Sequence, residues 1–231
     1  MTTVLITGAN RGIGLELCKR YTASGHSVLA CCRVPAEADV LMDFAARHDH
    51  LSVHGVHVSD ADSVAALADG LAGRPIDILI NNAGTTGPAR ERQTVFEMDY
   101  EGWEEAFAVN AMAPLRMLQA LLPNLRAAEA AKAITITSQM GALSFDMPAA
   151  YAYCASKAAV NKVMRLAAID LKKAGIAIGL IHPGWVQTDM GGPNAAITVD
   201  ESAAGIIDVI DWIGLEQTGC FMNWNGQPHD W

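Results

Sequence analysis

Hydrophobic positions along the chain fall into short, nearly continuous runs of five to eight residues, separated by longer amphipathic stretches. Short continuous runs are typical of strands buried on both faces of a parallel sheet, whereas a period near 3.6 residues indicates helices. The pattern predicts six strands, at Thr3–Thr7, Val28–Cys32, Leu51–Val58, Ile76–Asn81, Ala133–Ser138 and Ile176–Ile181.

Predicted helices alternate with these strands along the whole chain. This alternation is typical of an α/β fold with a doubly wound (Rossmann) parallel sheet and helices on both faces. No Ser/Pro/Gly-rich linker, charge block or internal repeat interrupts the pattern, so we predict a single domain over residues 1–231. The helices are predicted near 12–24, 36–47, 61–71, 100–122, 149–174 and 200–212.

Composition narrows the possible partners. Hydrophobic residues make up 51% and charged residues 18% of the chain, which is typical of globular and not of disordered proteins. The net charge of −9 provides no basic surface for nucleic acid, and the apolar runs are too short for a membrane-spanning helix. Five cysteines without a C-x-x-C pair, and the absence of an export signal, predict a cytoplasmic protein with reduced thiols and no metal site.

A glycine-rich turn follows the first predicted strand. Its three glycines at a strand-to-helix junction permit a tight bend and let backbone N–H groups approach a pyrophosphate at the helix N-terminus. The spacing is G-x-x-x-G-x-G and not the common G-x-G-x-x-G, so a tight loop without a ligand stays an alternative. The candidate nucleotide-binding residues of this glycine turn (residues 8–14) are Gly8, Asn10, Arg11, Gly12, Ile13 and Gly14.

The end of the second predicted strand bears on the choice of nucleotide. An acidic residue there would bind the ribose hydroxyls of NAD, but this chain has Cys32 followed by Arg33. A guanidinium can pair with the 2′-phosphate of NADP through charge-assisted hydrogen bonds. Arg33 together with Arg11 therefore favours NADP(H) over NAD(H), although an ordinary surface charge is the alternative for Arg33.

A tyrosine and a lysine lie four residues apart on one predicted helix. Tyr153 and Lys157 therefore face the same side, and an ammonium beside a phenol lowers the phenol pKa and suits it to proton transfer. Ser138 ends the fifth predicted strand, at the sheet edge where doubly wound folds bind ligands. By itself it would be interpreted as a turn serine.

Six motifs follow one another in a fixed order along the chain. They are T-G-A-N-R-G-I-G at 7–14, N-N-A-G at 81–84, Asn110 in F-A-V-N-A, Ser138, Y-x-x-x-K at 153–157 and H-P-G-W-V-Q-T at 182–188. With these motifs the chain resembles the short-chain dehydrogenase/reductase family over essentially its whole length. Within that family it looks most like the branch of C-factor-like and Sniffer-like carbonyl reductases, which is mostly NADPH-linked.

The resemblance implies an NADPH-dependent oxidoreductase that reduces a ketone or aldehyde by hydride transfer. Tyr153 would be the proton donor, Ser138 would hold the carbonyl oxygen, and Lys157 would bind the nicotinamide ribose. Asn110 would place a water in a proton relay that reaches Lys157. His57 stands where the family usually has an Asp that contacts the adenine, which puts that contact in doubt. Further implied nucleotide contacts are Val58, Asn81, Ala83, Gly84, Pro183, Gly184, Val186 and Thr188, beside Tyr153 and Lys157 themselves.

Substrate, assembly and alternative functions remain expectations. Apolar residues flanking the catalytic edge (Phe145, Met147, Trp185 and Met190) suggest an apolar carbonyl or alcohol substrate, although they could merely close the core. The helices near 100–122 and 149–174 form a dimer interface in relatives, so a homodimer or homotetramer is expected. The alternative functions are a nucleotide-bound, C-factor-like signalling or sensor protein with little turnover, and an NAD-linked secondary-alcohol dehydrogenase, which Arg33 opposes.

Overall fold

A computed structural model describes residues 1–146 and 149–231. Seven strands form one sheet in the order β3-β2-β1-β4-β5-β6-β7, and all neighbouring pairs are parallel. The strands are β1 Thr3–Thr7, β2 Ser27–Cys32, β3 Leu51–Gly55, β4 Ile78–Asn81, β5 Lys132–Ile136, β6 Ala177–His182 and β7 Cys220–Asn223.

Helices cover both faces of this sheet. They are α1 Gly12–Ala23, α2 Asp39–Ala45, α3 Ala61–Gly70, α4 Tyr100–Phe107, α5 Ala113–Ala120, α6 Leu122–Arg126, α7 Tyr151–Lys172 and α8 Val199–Trp212.

Alternation along the strands explains why the apolar runs are continuous. Leu5 of β1 packs in one buried cluster with Met117 and Val160, while its neighbour Ile6 packs in a second cluster with Leu17. Successive side chains of a strand point to opposite faces, so a strand covered on both faces needs apolar residues at every position. The predicted α/β fold with a doubly wound parallel sheet is confirmed.

The structure has a seventh strand, the edge strand β7, so the prediction of six strands was wrong. The strand has only four residues and pairs with β6 from Gly179↔Cys220 to His182↔Asn223. So short a segment carries no readable period, and its strand character depends on pairing with β6.

The predicted helix over 100–122 is interrupted in the structure. A π-helical turn at Ala108–Met112 separates α4 from α5. Pro114 has no N–H to donate to the carbonyl of Asn110, four residues earlier, which explains why the regular ladder does not continue here. The consequence for the site is that Asn110 lies within the π turn.

The strand order places a crevice between β1 and β4. These strands are neighbours, with Val4 opposite Ile78, although β2 and β3 lie between them in the chain. Loops that follow such a pair leave toward opposite faces of the sheet, which opens a ligand crevice at the carboxyl edge. The glycine turn follows β1 and the N-N-A-G segment runs from the end of β4, so both border this crevice.

The described residues contain no membrane-spanning helix, no disulfide and no group of metal ligands. None of their helices combines the length and the apolar character that crossing a membrane requires. All five cysteines are free thiols, and the described part of the chain contains no group of three or more His, Cys, Asp or Glu side chains arranged to hold a metal.

Candidate active site

The glycine turn has the backbone of an anion-binding site. Gly8 and Gly12 adopt φ values of +65° and +52°, a region that favours glycine. A Cβ on Gly14 would collide with the carbonyl oxygen of Gly8. Arg11 is the N-cap of α1 and makes no side-chain capping bond, so the first N–H groups of the helix remain available to a ligand. This arrangement fits a nucleotide pyrophosphate.

Two residues that the sequence analysis did not select hold this turn against β4. The Asn82 side-chain amide donates to the carbonyls of Thr7, at 2.9 Å, and Gly8, at 3.1 Å. The Thr7 hydroxyl accepts hydrogen bonds from the backbone N–H groups of Asn82 and Ala83. Thr7 and Asn82 both lie inside the quoted motifs, and polar side chains at the ends of neighbouring strands were the signal that could have identified them.

The two arginines predicted to select NADP have different surroundings. The Arg11 guanidinium lies 2.8 Å from the Asp189 carboxylate, and both side chains are exposed. Arg33 is exposed at the end of β2, and no side chain of the described residues forms an ion pair with it. Of the two, Arg33 is the guanidinium without a competing carboxylate.

The segment after β3 lies where the adenine contact was in doubt. His57 is exposed, and its Nδ1 is 3.0 Å from the Ser59 hydroxyl. The carbonyls of Val58 and Ser59 both accept hydrogen bonds from the guanidinium of Arg116. Arg116 was not predicted as a site residue, and it fixes the backbone on which the predicted Val58 contact depends.

The N-N-A-G segment at the end of β4 contains one buried side chain, that of Asn81, and one glycine beside Lys157, Gly84. The Asn81 side chain is buried and donates to the carbonyl of Pro114 at 3.4 Å, and its predicted contact with the nucleotide stays a prediction. A Cβ on Gly84 would lie 3.3 Å from Oδ1 of Asn110 and 3.7 Å from Nζ of Lys157. Glycine at position 84 therefore leaves room directly beside the Lys157 ammonium.

The Asn110 side chain links three segments. Its Oδ1 accepts from the backbone N–H of Thr85 at 2.9 Å, and its Nδ2 donates to the Thr85 carbonyl at 2.8 Å and to the Ser156 hydroxyl at 3.0 Å. It therefore ties the loop after β4 to α7. These bonds occupy the side-chain groups, and its participation in a water relay stays a prediction.

Ser138, Tyr153 and Lys157 come together at the carboxyl edge of the sheet. Ser138 lies two residues beyond β5, and its hydroxyl accepts from the backbone N–H of Met140 and lies near enough to the Tyr153 phenol to lower the pKa of that group. Tyr153 is the third residue of α7, and Nζ of Lys157 lies 5.8 Å from the centroid of its ring. Nζ of Lys157 donates to the carbonyl of Ile136 at 3.0 Å. The predicted three-residue cluster is therefore assembled.

Burial dominates the electrostatics of this cluster. It raises the pKa of Tyr153, the hydrogen bond with Ser138 opposes that rise, and Cys154 adds slightly to it. Burial also lowers the pKa of Lys157 to about 8. Ser138 thus contributes to lowering the pKa of Tyr153, and the predicted contribution of the Lys157 ammonium stays a prediction.

The loop after β6 (residues 183–198, the β6 loop) approaches the glycine turn from the opposite side. Gly184 has a φ of +87°, and a Cβ there would contact Ile197 and Trp224. A Cβ on Gly12 would lie 3.3 Å from Cγ2 of Thr188. The other predicted contacts are engaged within the protein, since the Pro183 carbonyl accepts from Ser202 at 2.6 Å and Val186 is buried.

The predicted substrate-side residues separate into two groups. Trp185 and Met190 of the β6 loop are 53% and 51% exposed, and Nε1 of Trp185 donates to the Gly191 carbonyl at 2.8 Å. Phe145 instead packs against the core. Met147 lies outside the described residues.

Comparisons with known proteins agree with this geometry. Residues 2–197 match the family model described as short chain dehydrogenase. C-signal of Myxococcus xanthus is 40% identical over 167 residues, which cover 72% of this chain and 99% of that protein. The structure of NADPH-bound carbonyl reductase from chicken fatty liver matches with a TM-score of 0.93 and 33% identity, covering 100% of this chain and 99% of that one. Carbonyl reductase Sniffer of D. melanogaster matches with a TM-score of 0.93 and 29% identity over 100% of both chains.

Proposed function

The chain belongs to the short-chain dehydrogenase family, and on that premise we propose that it reduces the carbonyl of a small apolar ketone or aldehyde with NADPH. The observation that carries the proposal is the cluster of Ser138, Tyr153 and Lys157, in which Nζ of the buried Lys157 lies 5.8 Å from the centroid of the Tyr153 ring and Ser138 lowers the pKa of Tyr153. These groups lie at the sheet edge beside an anion-binding turn. We also propose that the whole chain acts as one nucleotide-binding domain.

Each residue of the cluster has a role in this reaction. NADPH supplies the hydride from its nicotinamide when it is bound. The Ser138 hydroxyl donates a hydrogen bond to the substrate carbonyl oxygen, and Oη of Tyr153 transfers its proton to that oxygen as it becomes a hydroxyl. Among the described residues, Nζ of Lys157 has the Ile136 carbonyl as its one hydrogen-bond acceptor, so N–H donors remain for ribose hydroxyls.

Charge supports NADP(H) as the nucleotide. Arg33 presents an exposed guanidinium at the end of β2, where a 2′-phosphate would lie in a fold of this type. The carbonyl reductase from chicken fatty liver, a structural relative over the whole of this chain, is bound to NADPH in its crystal structure.

The substrate class follows from the exposed side chains on the β6 loop. Trp185 and Met190 present apolar surface, which favours an apolar substrate over a charged ketoacid. Both structural relatives are carbonyl reductases, which supports a carbonyl compound as the substrate.

Assembly and location belong to the same proposal. On α7, Leu166 and Ile169 are exposed, as is Met112, the last residue of the π turn before α5. These apolar side chains support a homodimer or homotetramer, and a monomer mass in light scattering would contradict it. The five free thiols support a reducing, cytoplasmic location.

A second candidate function is a nucleotide-bound signalling protein with little turnover. The 40% identity to C-signal supports it, but the assembled Ser138, Tyr153 and Lys157 favour an enzyme. NAD-linked oxidation of a secondary alcohol is a third candidate, and Arg33 opposes it.

The experiment is a fluorescence titration with NADPH and NADH, followed by turnover assays with acetophenone, cyclohexanone and pyruvate. We expect tighter binding of NADPH, preference for acetophenone, and a loss of turnover of at least about 100-fold in Tyr153→Phe. Tyr151→Phe is the matched control, because Tyr151 lies on the same helical turn but is 44% exposed. Tighter NADH binding would overturn the nucleotide assignment, preference for pyruvate would overturn the substrate class, and full turnover in Tyr153→Phe would overturn the mechanism.

A further inference from the structure

The helix that carries Tyr153 and Lys157 begins without a local cap. Its N-cap residue is Ala150, which has no side-chain acceptor, and both Ala149 and Ala150 have positive φ values, +60° and +68°. Non-glycine residues in this region carry backbone strain, so surrounding structure must hold them there. The N–H groups of the first turn of α7 therefore need acceptors from elsewhere in the chain.

Gln93 supplies those acceptors from a distant loop. Its backbone carbonyl accepts from the N–H of Tyr151 at 3.5 Å, and its side-chain Oε1 accepts from the N–H of Tyr153 at 3.3 Å. The side chain belongs to a residue 60 positions away from Tyr153 in the sequence. One glutamine thus contacts two N–H groups of the first helical turn, a role that a Ser, Thr or Asp at the N-cap usually fills.

The side chain of Gln93 is itself held in one orientation. It is 2% exposed, and Nε2 donates to the carbonyls of Thr86, at 2.9 Å, and Pro88, at 2.5 Å. With its two donors bound to carbonyls, the amide can present only Oε1 toward α7. The loop also packs directly on the helix, since a Cβ on Gly87 would lie 3.3 Å from Cβ of Ala152.

We propose that Gln93 is a positioning residue that fixes the first turn of α7, and thereby the Tyr153 hydroxyl, against Ser138. The inference deepens the proposed function and rests on it, because it assumes that Tyr153 transfers the proton. Tyr153 is the third residue of the helix, so its backbone is held at the point where Gln93 acts. Ser138 belongs to a different element, the turn after β5, so the meeting of the two hydroxyls depends on where α7 begins. A displacement of about 1 Å between reacting groups can cost about 100-fold in rate.

The first test compares wild type with Gln93→Met, which keeps the length of the side chain and removes its polar groups. We expect kcat for acetophenone reduction to fall by about 10-fold or more, with the Kd for NADPH within about twofold of wild type. Glu97→Gln is the matched control, because Glu97 lies on the same loop and its carboxylate forms an ion pair with the exposed Arg92 at 3.6 Å. Wild-type kcat in Gln93→Met, or an equal loss in Glu97→Gln, would overturn the proposal.

The second test measures the Tyr153 phenol directly and does not depend on turnover. The chain has four tyrosines, so subtracting the phenolate absorbance curve of Tyr153→Phe from that of wild type isolates the ionisation of Tyr153. Burial, Ser138 and Cys154 set the pKa of Tyr153, and Lys157 lies over its ring. Loosening the Ser138 contact weakens an influence that lowers this pKa. We expect Gln93→Met to raise it, and Gln93→Met/Tyr153→Phe provides the matching subtraction.

A purely structural role would lower thermal stability without moving the phenol pKa, and that result would overturn the proposal. If Tyr153→Phe keeps full turnover, the proposed function fails. The phenol titration then still tests whether Gln93 positions the Tyr153 hydroxyl against Ser138.

Gln93→Glu gives an independent test should the methionine variant not fold. Its carboxylate can still accept from Tyr153, but it faces the Thr86 and Pro88 carbonyls without a proton to donate. Protonation restores one donor, so we expect kcat relative to wild type to recover as the pH falls. A ratio that is independent of pH would overturn the proposal.

Discussion

The guanidinium of Arg11 lies 2.8 Å from the carboxylate of Asp189, which joins the glycine turn to the β6 loop. The two residues are 178 positions apart in the sequence, and both side chains are exposed. Exposed ion pairs contribute little to stability, about 0 to 1 kcal/mol, so this pair can exchange for a contact with a bound anion. On the proposed function, we expect Asp189 to compete with the nucleotide phosphates for Arg11.

Asp189→Asn should strengthen NADPH binding. Removing the carboxylate releases Arg11, and because the pair is exposed we expect a gain of no more than about fivefold in a fluorescence titration. The double variant Arg11→Ala/Asp189→Asn should show no gain over Arg11→Ala. An equal gain in both backgrounds would mean that Asp189 acts through general charge and not through Arg11.

Arg33→Ala should weaken the binding of NADPH much more than that of NADH. A charge-assisted contact contributes about 1.5–3 kcal/mol, which corresponds to about 10- to 100-fold in Kd. Arg47→Ala removes the same charge from another exposed position and serves as the control. Equal weakening for both nucleotides would show that Arg33 does not contact the 2′-phosphate.

Ser138→Ala should lower kcat and move the pH dependence of kcat/KM. Loss of a donor to the carbonyl oxygen costs about 100-fold in oxyanion-type sites. Because Ser138 lowers the pKa of Tyr153 in the free protein, its removal raises that pKa further. Reduction needs the protonated phenol, so the alkaline decline of kcat/KM, which reports the free enzyme, should move to higher pH. Ser144→Ala, at an exposed position nearby, should leave the pH profile in place.

NADPH binding should weaken as the pH rises above about 8. Burial lowers the pKa of Lys157 to about 8, so the free protein loses this ammonium well below the ordinary lysine value of 10.5. If the nucleotide binds the charged form, affinity is greatest below that pKa and falls by up to about tenfold per pH unit above it. Titrations of NADPH from about pH 6 to 10 measure the slope. Lys157→Met should bind weakly without this slope, and the exposed Lys162→Met should keep it.

Gly14→Ala should destabilise the protein and abolish NADPH binding. The added Cβ would meet the Gly8 carbonyl and the Asn82 amide, and overpacking of this kind costs about 1–3 kcal/mol. Thermal unfolding with and without NADPH measures both effects. Gly70→Ala is the control, because its Cβ would meet nothing within 4 Å and alanine is the better helix former. Unchanged stability in Gly14→Ala would contradict the packing argument.

Contacts between distant segments could not be predicted from the sequence, because they depend on how separate elements pack against each other. Asn81 belongs to a recognised motif, but only the position of α5 shows that its amide donates to the Pro114 carbonyl. Gln93 carries no motif, and its contact with Tyr153 spans 60 residues. β7 has only four residues and depends on its neighbour β6.

The sequence by itself determined the strands, the glycine turn and the shared helix face, because local periodicity and spacing specify these features. Continuous apolar runs specified strands covered on both faces, three glycines specified the turn after β1, and the spacing of Tyr153 and Lys157 placed both on one face of a helix. Tertiary structure decided which distant groups meet: Ser138 with Tyr153, Arg11 with Asp189, and Gln93 with the first turn of α7. Periodicity constrains residues within a few turns of each other, whereas these meetings depend on the strand order that brings the ends of β1, β4, β5 and β6 to one edge.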